Sequence, residues 1–300
     1  MSDLTIALLG AGGQLGRAIT RAGARRGMTI MGFDRAAADI TDPFAVDAAL
    51  GDTIIDVAVN AAAYTAVDKA ESESDLANAV NGEAARYIAN IADIMLFPVI
   101  HISTDYVFDG TKSSPYVEDD PIAPLGAYGR SKAVGEEALR EYADAVILRT
   151  AWLYGLDGTN FVKTMLRLGA EREVVRVVND QRGCPTFADD LADAILTIAE
   201  KLHEAPAYSL TGTYHLTATG QTTWCEFAAA IFDHAANHGL RVPRLEPITT
   251  AEYPTPARRP ANSVLDCSKA KRTFGVELPH WKDGLARMVA AHLAATEGAR

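Results

Sequence analysis

Residues 4–16 read LTIALLGAGGQLG, an apolar run that ends in closely spaced glycines. The apolar run predicts a buried strand, and residues 15–26 predict the helix that follows it. Gly10, Gly13 and Gly16 permit a tight turn, a close approach of backbone to a pyrophosphate, and close packing of helix on strand. Free N–H groups and the dipole at the helix N-terminus favour negative charge. This stretch therefore predicts a dinucleotide-binding turn, although its glycine spacing differs from GxGxxG.

The first half of the chain continues this alternation of short apolar runs and helical stretches. After the first strand, further strands are predicted at 29–33, 54–59, 99–102 and 146–148. Strands buried on both faces give continuous apolar runs, and helices between them imply right-handed crossovers and parallel pairing. We therefore predict an α/β fold with a doubly wound parallel sheet of the Rossmann type.

The second half of the chain is less regular. Its pattern predicts helices at 160–169, 187–202 and 223–238, and strands at 174–178 and 213–216. Residues 253–260, YPTPARRP, cannot form regular structure because prolines fix φ and remove donors. These features predict a smaller C-terminal substrate-binding cap over the carboxyl edge of the sheet. The predicted division gives the Rossmann domain residues 1–151 and 187–217, and the cap residues 152–186 and 218–300.

Composition narrows the classes of function. The 300 residues carry a net charge of -11, which argues against nucleic acid or an anionic membrane as a partner. The N-terminus shows no secretory signal pattern, and no apolar run is long enough to span a bilayer. Cys184, Cys225 and Cys267 are far apart and lack metal-ligand spacing. We therefore expect reduced thiols and a cytoplasmic location.

Asp34 ends the second predicted strand, where the adenosine ribose of a dinucleotide would lie. Its carboxylate would accept hydrogen bonds from a ribose 2′-hydroxyl and would repel a 2′-phosphate, which favours NADH. Arg35 beside it could meet that phosphate or stack on adenine, which blurs this preference. Both NADH and NADPH therefore stay open as cofactors.

Tyr128 and Lys132 are spaced so that a helix would place them on one face. An ammonium near a tyrosine lowers its pKa from about 10, so Tyr128 could protonate a carbonyl oxygen as hydride arrives. A Tyr–Lys pair alone is typical of a solvated helix face. Thr104 changes this interpretation, because the stretch HISTDYVF at 101–108 ends a strand and places a hydroxyl near the reacting oxygen.

These features resemble the extended short-chain dehydrogenase/reductase superfamily in their order and spacing. The resemblance rests on the glycines at 10, 13 and 16, on NAAA at 60–63, on Thr104, and on Tyr128 with Lys132. More narrowly, the chain is similar to the family of dTDP-4-dehydrorhamnose reductases. That similarity is carried by NAAAYTAVDKAE at 60–71, STDYVF at 103–108, NDQRGCPT at 179–186 and YPTPARRP at 253–260.

The resemblance implies NAD(P)H-dependent reduction of the C4 keto group of dTDP-4-dehydro-L-rhamnose to dTDP-L-rhamnose, a precursor of cell-wall polysaccharide. It implies that Tyr128 donates the proton, that Lys132 modulates its pKa and binds the nicotinamide ribose, and that Thr104 orients the carbonyl. Sugar contacts would fall at Thr104, Asp105 and Trp152. The implied cofactor contacts, beyond the glycine turn, are Gly13, Gln14, Leu15, Asp34, Asp39, Ile40, Ala63, Tyr64 and Thr65.

Arg182, Arg258 and Arg259 are our candidates for the substrate diphosphate, because guanidinium groups bind phosphate bidentately. Surface salt bridges are the alternative role for these arginines. Some members of the resembled family carry a Glu in the first Rossmann helix that joins a magnesium-bridged dimer, and Ala18 stands at the aligned position. We therefore predict no metal, and a monomer or weak homodimer.

Two other functions fit the same features. A nucleotide-sugar epimerase or 4,6-dehydratase shares the fold and the Tyr–Lys pair. Dehydratases of the superfamily follow the Thr with an Asp–Glu pair, whereas Tyr106 follows Asp105 here. A non-catalytic dinucleotide-binding subunit, such as the beta subunit of methionine adenosyltransferase, is the other alternative. The intact Thr104, Tyr128 and Lys132 argue against it.

Overall fold

The computed structural model describes residues 4–51, 54–142, 144–205 and 209–297. The start of the predicted range 1–151 and the end of the predicted range 218–300 lie outside the described residues. The strands are β1 Thr5–Leu9, β2 Thr29–Phe33, β3 Val57–Asn60, β4 Val99–Thr104, β5 Ala145–Thr150, β6 Leu153–Tyr154, β7 Val174–Val178, β8 Arg182–Gly183, β9 Thr186–Phe187, β10 Gly212–His215, β11 Ala218–Thr219, β12 Thr222–Thr223, β13 Arg244–Ile248 and β14 Leu278–His280. The α-helices are α1 Gln14–Arg26, α2 Pro43–Leu50, α3 Val67–Ala70, α4 Ser74–Asn78, α5 Ala84–Met95, α6 Ala127–Tyr142, α7 Phe161–Glu171, α8 Ala188–Glu204, α9 Trp224–Asn237, α10 Ser268–Phe274 and α11 Trp281–Glu297.

The main sheet contains six strands of the described chain in the order β2-β1-β3-β4-β5-β10. Every neighbouring pair in it is parallel. The strand order reverses at β1, which lies between β2 and β3, and open α/β sheets bind ligands beside such a point. The predicted parallel sheet of the Rossmann type is confirmed.

The first strand shows why the sheet is covered on both faces. Successive side chains of a strand point to opposite faces. Ile6 and Leu8 pack into a core with α1 and α8, whereas Ala7 and Leu9 pack into a second core with α2 and α5. All four residues are fully buried. A continuous apolar run is therefore the sequence that this doubly covered strand requires.

A third apolar core is built from residues that follow Ala151. It joins α7, α9 and α11 to β7, and Phe227 and Leu285 lie at its fully buried centre. Strand β7 pairs in parallel with β13 in a separate two-stranded sheet. The division of the chain into a Rossmann domain and a cap stays a prediction.

One predicted strand begins at the wrong residue. The run 54–59 was expected to be extended throughout, but β3 begins at Val57. Ile54 is 88% exposed, so its apolar side chain does not indicate burial. The Asp56 carboxylate accepts a hydrogen bond from the Thr5 N–H (2.8 Å), which joins the two segments just before the strand begins.

Candidate active site

A pocket of about 930 Å³ lies at the carboxyl edge of the main sheet. A volume of this size falls in the range that small-molecule and cofactor sites occupy. Many of the predicted site residues line it together: Gly10, Gly13, Gln14, Leu15, Asp34, Arg35, Asp39, Ile40, Ala63, Tyr64, Thr65, Thr104, Asp105, Tyr128, Lys132 and Trp152. Residues distant in sequence thus meet around one cavity.

The glycine turn after β1 is shaped by two close approaches of the backbone. Gly10 has φ +80°, and a Cβ there would lie 2.6 Å from the Ala62 nitrogen. A Cβ on Gly16 would lie 2.2 Å from the Gly10 oxygen, so Gly16 packs helix α1 behind the turn instead of lining the pocket. Gly13 is the N-cap of α1 and offers no side-chain hydrogen bond, which leaves the first N–H groups of the helix available to an anion.

The far end of the pocket holds the acids that follow β2. Asp34 Oδ1 accepts hydrogen bonds from the N–H groups of Ala36 and Ala37, each at 3.0 Å. The exposed Arg35 side chain lies with its Nε 3.3 Å from Asp39 Oδ2. Hydrogen bonds from the Thr41 N–H and hydroxyl lower the pKa of Asp39. The Asp34 side chain thus stabilises its own turn while it lines the pocket.

Tyr128 and Lys132, the predicted proton-transfer residues, lie near the start of α6. Glu71 Oε1 accepts a hydrogen bond from the Ala127 N–H (2.7 Å) and so holds the first turn of this helix. The Thr104 side chain acts on the Tyr128 phenol and partly offsets the rise of its pKa. Tyr106 packs edge-on against the Tyr128 ring, with 5.8 Å between ring centroids. The arrangement therefore presents two neighbouring hydroxyl groups at the pocket.

Burial governs the protonation equilibria at this site. Burial raises the pKa of Tyr128 to about 12, and the nearby Asp105 charge adds to this rise. Lys132 Nζ instead donates to the Ile102 carbonyl (2.6 Å) and lies 3.2 Å from His101 Nε2. Burial therefore dominates the pKa of Tyr128 in the protein without a ligand, and the role of Lys132 in lowering that pKa stays a prediction.

Two buried polar atoms of the pocket lack a hydrogen-bond partner within the described chain, namely Asp105 Oδ2 and Thr150 Oγ1. Thr104 donates to the other carboxylate oxygen of Asp105 (3.1 Å), and burial raises the pKa of this acid to about 7. Buried polar atoms normally have partners, so Thr150 Oγ1 indicates a contact with a ligand, whereas the Ser263 side chain also acts on the Asp105 carboxyl and lowers its pKa. The sequence analysis did not single out Thr150, although its place opposite Thr104 at the end of β5 is a usable signal.

Stacked indole rings form one wall of the pocket. The Trp152 and Trp224 rings are stacked and nearly parallel, with 3.5 Å between ring centroids and an interplanar angle of 5°. Trp152 has φ +47°, a left-handed conformation that costs about 1–3 kcal/mol and that concentrates at functional sites. A Cβ on Gly183 would lie 2.3 Å from the Trp152 ring, so only glycine fits behind it. Trp224 was missed by the sequence analysis, because only the fold brings α9 against Trp152.

The three arginines proposed for a diphosphate do not line this pocket. Arg259 is bound to Asp68, with Nη2 2.8 Å from Oδ2, and it also donates to Thr255 Oγ1. The side chains of Arg182 and Arg258 are exposed. The salt-bridge alternative therefore describes Arg259 in this structure, and the phosphate-binding role of the three arginines stays a prediction.

The described segments contain neither a metal-binding cluster nor a membrane-spanning helix. No group of three or more His, Cys, Asp or Glu side chains there could hold a metal ion. No helix in this part of the chain is long and apolar enough to cross a membrane. Ala18 is buried in α1, and Cys184, Cys225 and Cys267 are free thiols.

The parallel sheet, the glycine turn and the Thr–Tyr–Lys set define a Rossmann-type protein of the extended short-chain dehydrogenase/reductase class. The model of the family described as RmlD substrate binding domain matches residues 4–294. This chain therefore belongs to the RmlD family, that of the dTDP-4-dehydrorhamnose reductases.

Similar proteins carry that name. The dTDP-4-dehydrorhamnose reductase of Sinorhizobium fredii is 44% identical over 291 residues, which cover 97% of this chain and 98% of that protein. The enzyme of the same name from Escherichia coli K12 is 43% identical, with 95% and 97% covered. Among solved structures, dTDP-4-dehydrorhamnose reductase of Bacillus anthracis in complex with NADP aligns with a TM-score of 0.90 at 36% identity, covering 97% of this chain and all of that one.

Proposed function

We propose that this chain reduces the C4 keto group of dTDP-4-dehydro-L-rhamnose to a hydroxyl, giving dTDP-L-rhamnose, with NADPH or NADH as reductant. The observation that carries the proposal is that the side chains of Tyr128 and Thr104 line the same pocket, with Lys132 one helical turn beyond. Membership of the RmlD family and the names of its relatives support the choice of substrate.

The pocket residues fit a nicotinamide dinucleotide. The open N–H groups at the start of α1 would hold its pyrophosphate, and Asp34 would hold its adenosine ribose. Lys132, buried at the inner end, would donate hydrogen bonds to the nicotinamide ribose. The bound reduced nicotinamide supplies the hydride that C4 receives.

Tyr128 and Thr104 would act on the carbonyl oxygen. The raised pKa of Tyr128 keeps its phenol protonated at neutral pH, so a proton is available for the oxygen as its negative charge develops. The Thr104 hydroxyl would donate a second hydrogen bond to that oxygen. The Lys132 ammonium then stabilises the buried phenolate that remains.

The remaining pocket groups would hold the sugar nucleotide. The Trp152 and Trp224 rings offer a flat apolar wall, and Asp105 with Thr150 would bind sugar hydroxyls. We assign this task to a cap of residues 152–186 and 218–300, set on a dinucleotide-binding domain of residues 1–151 and 187–217. We also assign the substrate diphosphate to Arg182 and Arg258, which are exposed, and to Arg259 if it leaves Asp68.

The decisive experiment follows nicotinamide absorbance while dTDP-4-dehydro-L-rhamnose is added to protein with NADPH or NADH. We expect substrate-dependent oxidation in the wild type. In Tyr128→Phe, kcat falls by about 10²–10⁴-fold and cofactor Kd changes by less than about threefold. Tyr87→Phe, on α5 outside the pocket, is the matched control and keeps wild-type turnover.

Each alternative function predicts a different result. An epimerase would convert its substrate without net oxidation of the cofactor, and a binding subunit would bind NADPH without turnover. Wild-type turnover in Tyr128→Phe would remove this residue from the mechanism.

We further propose a cytoplasmic location and a monomer or weak homodimer. The free thiols support a reducing compartment, and Ala18 in place of the family's bridging Glu supports weak association. Sedimentation at several protein concentrations, with and without Mg²⁺, measures this directly; a tight dimer at the lowest concentration would contradict it.

A further inference from the structure

A continuous polar chain lies behind the pocket and joins the loop after β3 to Lys132. The Ala62 N–H donates to Asn60 Oδ1 at 3.2 Å, and Asn60 Nδ2 lies 3.1 Å from His101 Nδ1. His101 Nε2 in turn lies 3.2 Å from Lys132 Nζ. Asn60, His101 and Lys132 are each only 1% exposed, so water does not compete for these contacts.

The Ala62 N–H, the first group of this series of hydrogen bonds, fixes which atom donates in each of the bonds that follow. A backbone N–H can only donate, so the amide atom of Asn60 that faces Ala62 is the oxygen. The amide nitrogen therefore faces His101 and donates to Nδ1, which must be the bare nitrogen of the ring. Burial and the nearby Lys132 hold the pKa of His101 well below its ordinary value, so the ring is neutral. Its single proton consequently resides on Nε2, which points at Lys132.

The state of Lys132 decides whether this last contact is favourable. An ammonium has three donors and no acceptor, whereas a neutral amine has a lone pair that accepts the Nε2–H. We propose that Asn60 and His101 are positioning residues, which orient a hydrogen-bond chain from Ala62 to Lys132 and thereby favour the neutral amine over the ammonium.

The other surroundings of Lys132 act in opposite directions, because some favour the neutral amine and some favour the ammonium. Burial lowers the pKa of Lys132 to about 8, and the charge of Glu136 opposes this fall. That carboxylate is itself bound by Arg149 (2.7 Å) and by the Ser103 hydroxyl (2.5 Å), which weakens its effect on Lys132. Tyr128 lies one turn earlier on α6. The pKa of Lys132 therefore lies close to neutral pH, so the ammonium and the neutral amine are both accessible.

This inference rests on the proposed reductase and deepens it. Lys132 Nζ contacts the Ile102 carbonyl and His101, and the neutral amine accepts the Nε2–H of His101. The hydrogen bonds from Ala62 to Lys132 therefore lower the pKa of Lys132, and they tune the group that lies one helical turn beyond Tyr128.

The first test measures the tautomer of His101 by NMR in the wild-type protein without ligands, with ¹⁵N-labelled histidine. His101→Gln identifies the signal of this residue. We expect a protonated Nε2 and an unprotonated Nδ1. A proton on Nδ1 would overturn the proposal, because Nε2 would then accept from an ammonium.

In the second test, Asn60→Asp reverses the direction of the hydrogen bonds between residue 60, His101 and Lys132. The pKa of Lys132 is then measured by NMR of ¹³C-labelled lysine. Two acceptor oxygens at position 60 call for a proton on His101 Nδ1, so Nε2 becomes an acceptor for the ammonium. We expect the pKa of Lys132 to rise by about one unit or more. The new charge alone also acts, so Asn60→Asp/His101→Phe is the control and should retain less than half of the rise.

An equal rise in the single and double variants, or no rise in the single variant, would overturn the proposal. The wild-type tautomer measurement stands even if the variants do not fold. Neither measurement needs substrate or turnover, so a failure of the reductase assignment would be seen separately.

Discussion

The Asp105 carboxyl is a buried acid that accepts a hydrogen bond from Thr104 at the pocket. Burial raises its pKa to about 7, whereas an unfolded chain gives an aspartate a pKa of about 3.9. The folded protein thus binds this proton more tightly than the unfolded chain. The stability that this difference contributes is fully present below about pH 4 and is lost as the pH rises toward 7.

Asp105→Asn should remove this pH dependence, because the amide stays neutral at every pH. The fall in the free energy of unfolding between pH 4.5 and pH 7.5 should be smaller in the variant by at most about 4 kcal/mol, at 1.36 kcal/mol per pKa unit. Urea unfolding of the protein without ligands at the two pH values measures it. Asp119→Asn, at an exposed site, is the control. Equal pH dependence in Asp105→Asn and wild type would contradict the buried-acid assignment.

Asp34 is expected to set the choice between the two nicotinamide cofactors. Asp34→Asn keeps an oxygen that accepts from Ala36 and Ala37, and it removes the charge that would repel a 2′-phosphate. The ratio of NADPH affinity to NADH affinity should therefore rise about tenfold, which corresponds to about 1.4 kcal/mol. Fluorescence titration with each cofactor gives the ratio, with Asp75→Asn on α4 as the control. An unchanged ratio would mean that Asp34 does not face the ribose.

The sequence predicted the pocket residues that are recognisable from their neighbours along the chain. The glycines after β1 follow from backbone conformation, and Tyr128 with Lys132 follows from helical spacing. The contacts of the Lys132 amino group were not predictable, because its partners, His101 and the Ile102 carbonyl, lie on strand β4. Trp224 was hidden for the same reason, since its contact with Trp152 exists only in the folded chain.

Helix α6 is seated by two glycines on neighbouring backbone. A Cβ on Gly129 would lie 2.2 Å from the Tyr106 oxygen, and one on Gly135 would lie 2.2 Å from the Asn81 oxygen. Asn81 belongs to a short π-helical segment, and its side chain also binds the Ser131 hydroxyl (2.9 Å). These contacts fix the position of the helix and therefore the position of Tyr128.

Gly129→Ala has two opposing effects on stability, because alanine has the higher helix propensity but its Cβ would overlap the Tyr106 oxygen. Alanine favours a helix by up to about 1 kcal/mol over glycine. The overlap with the Tyr106 oxygen should nevertheless prevail and lower the free energy of unfolding by about 1–3 kcal/mol. Turnover should fall as well, because the shift displaces Tyr128. Denaturant unfolding and the reductase assay test this against Glu137→Ala on the exposed face of α6. A stabilised Gly129→Ala variant would show that α6 has room to move.

Strand positions were predicted well where the chain is apolar and less well where it becomes polar. The predicted run 99–102 extends to Thr104, and the predicted run 146–148 extends to Thr150. The polar ends continue the parallel ladder, because neighbouring strands satisfy their backbone groups whatever the side chain. Hydrophobicity alone therefore stops short of the residues that line the pocket.

At the scale of the whole molecule, the sheet was predictable and the arrangement around its carboxyl edge was not. Alternating strands and helices specify a doubly wound sheet, because few topologies bury such strands. The helices after Ala151 carry apolar faces too, but an apolar face does not say which partner covers it. Their shared core, and the wall that they build over the pocket, had to come from the three-dimensional structure.

The stacked indoles also give the protein an optical property. Of its three tryptophans, Trp152 and Trp224 line the pocket and Trp281 is buried in the third core. A dihydronicotinamide absorbs where indole emits, so its binding should quench tryptophan emission and sensitise its own. Trp224→Phe should weaken this energy transfer more than Trp281→Phe, and equal losses would place the nicotinamide elsewhere. The fluorescence of the unlabelled protein would then report how much cofactor is bound during a titration.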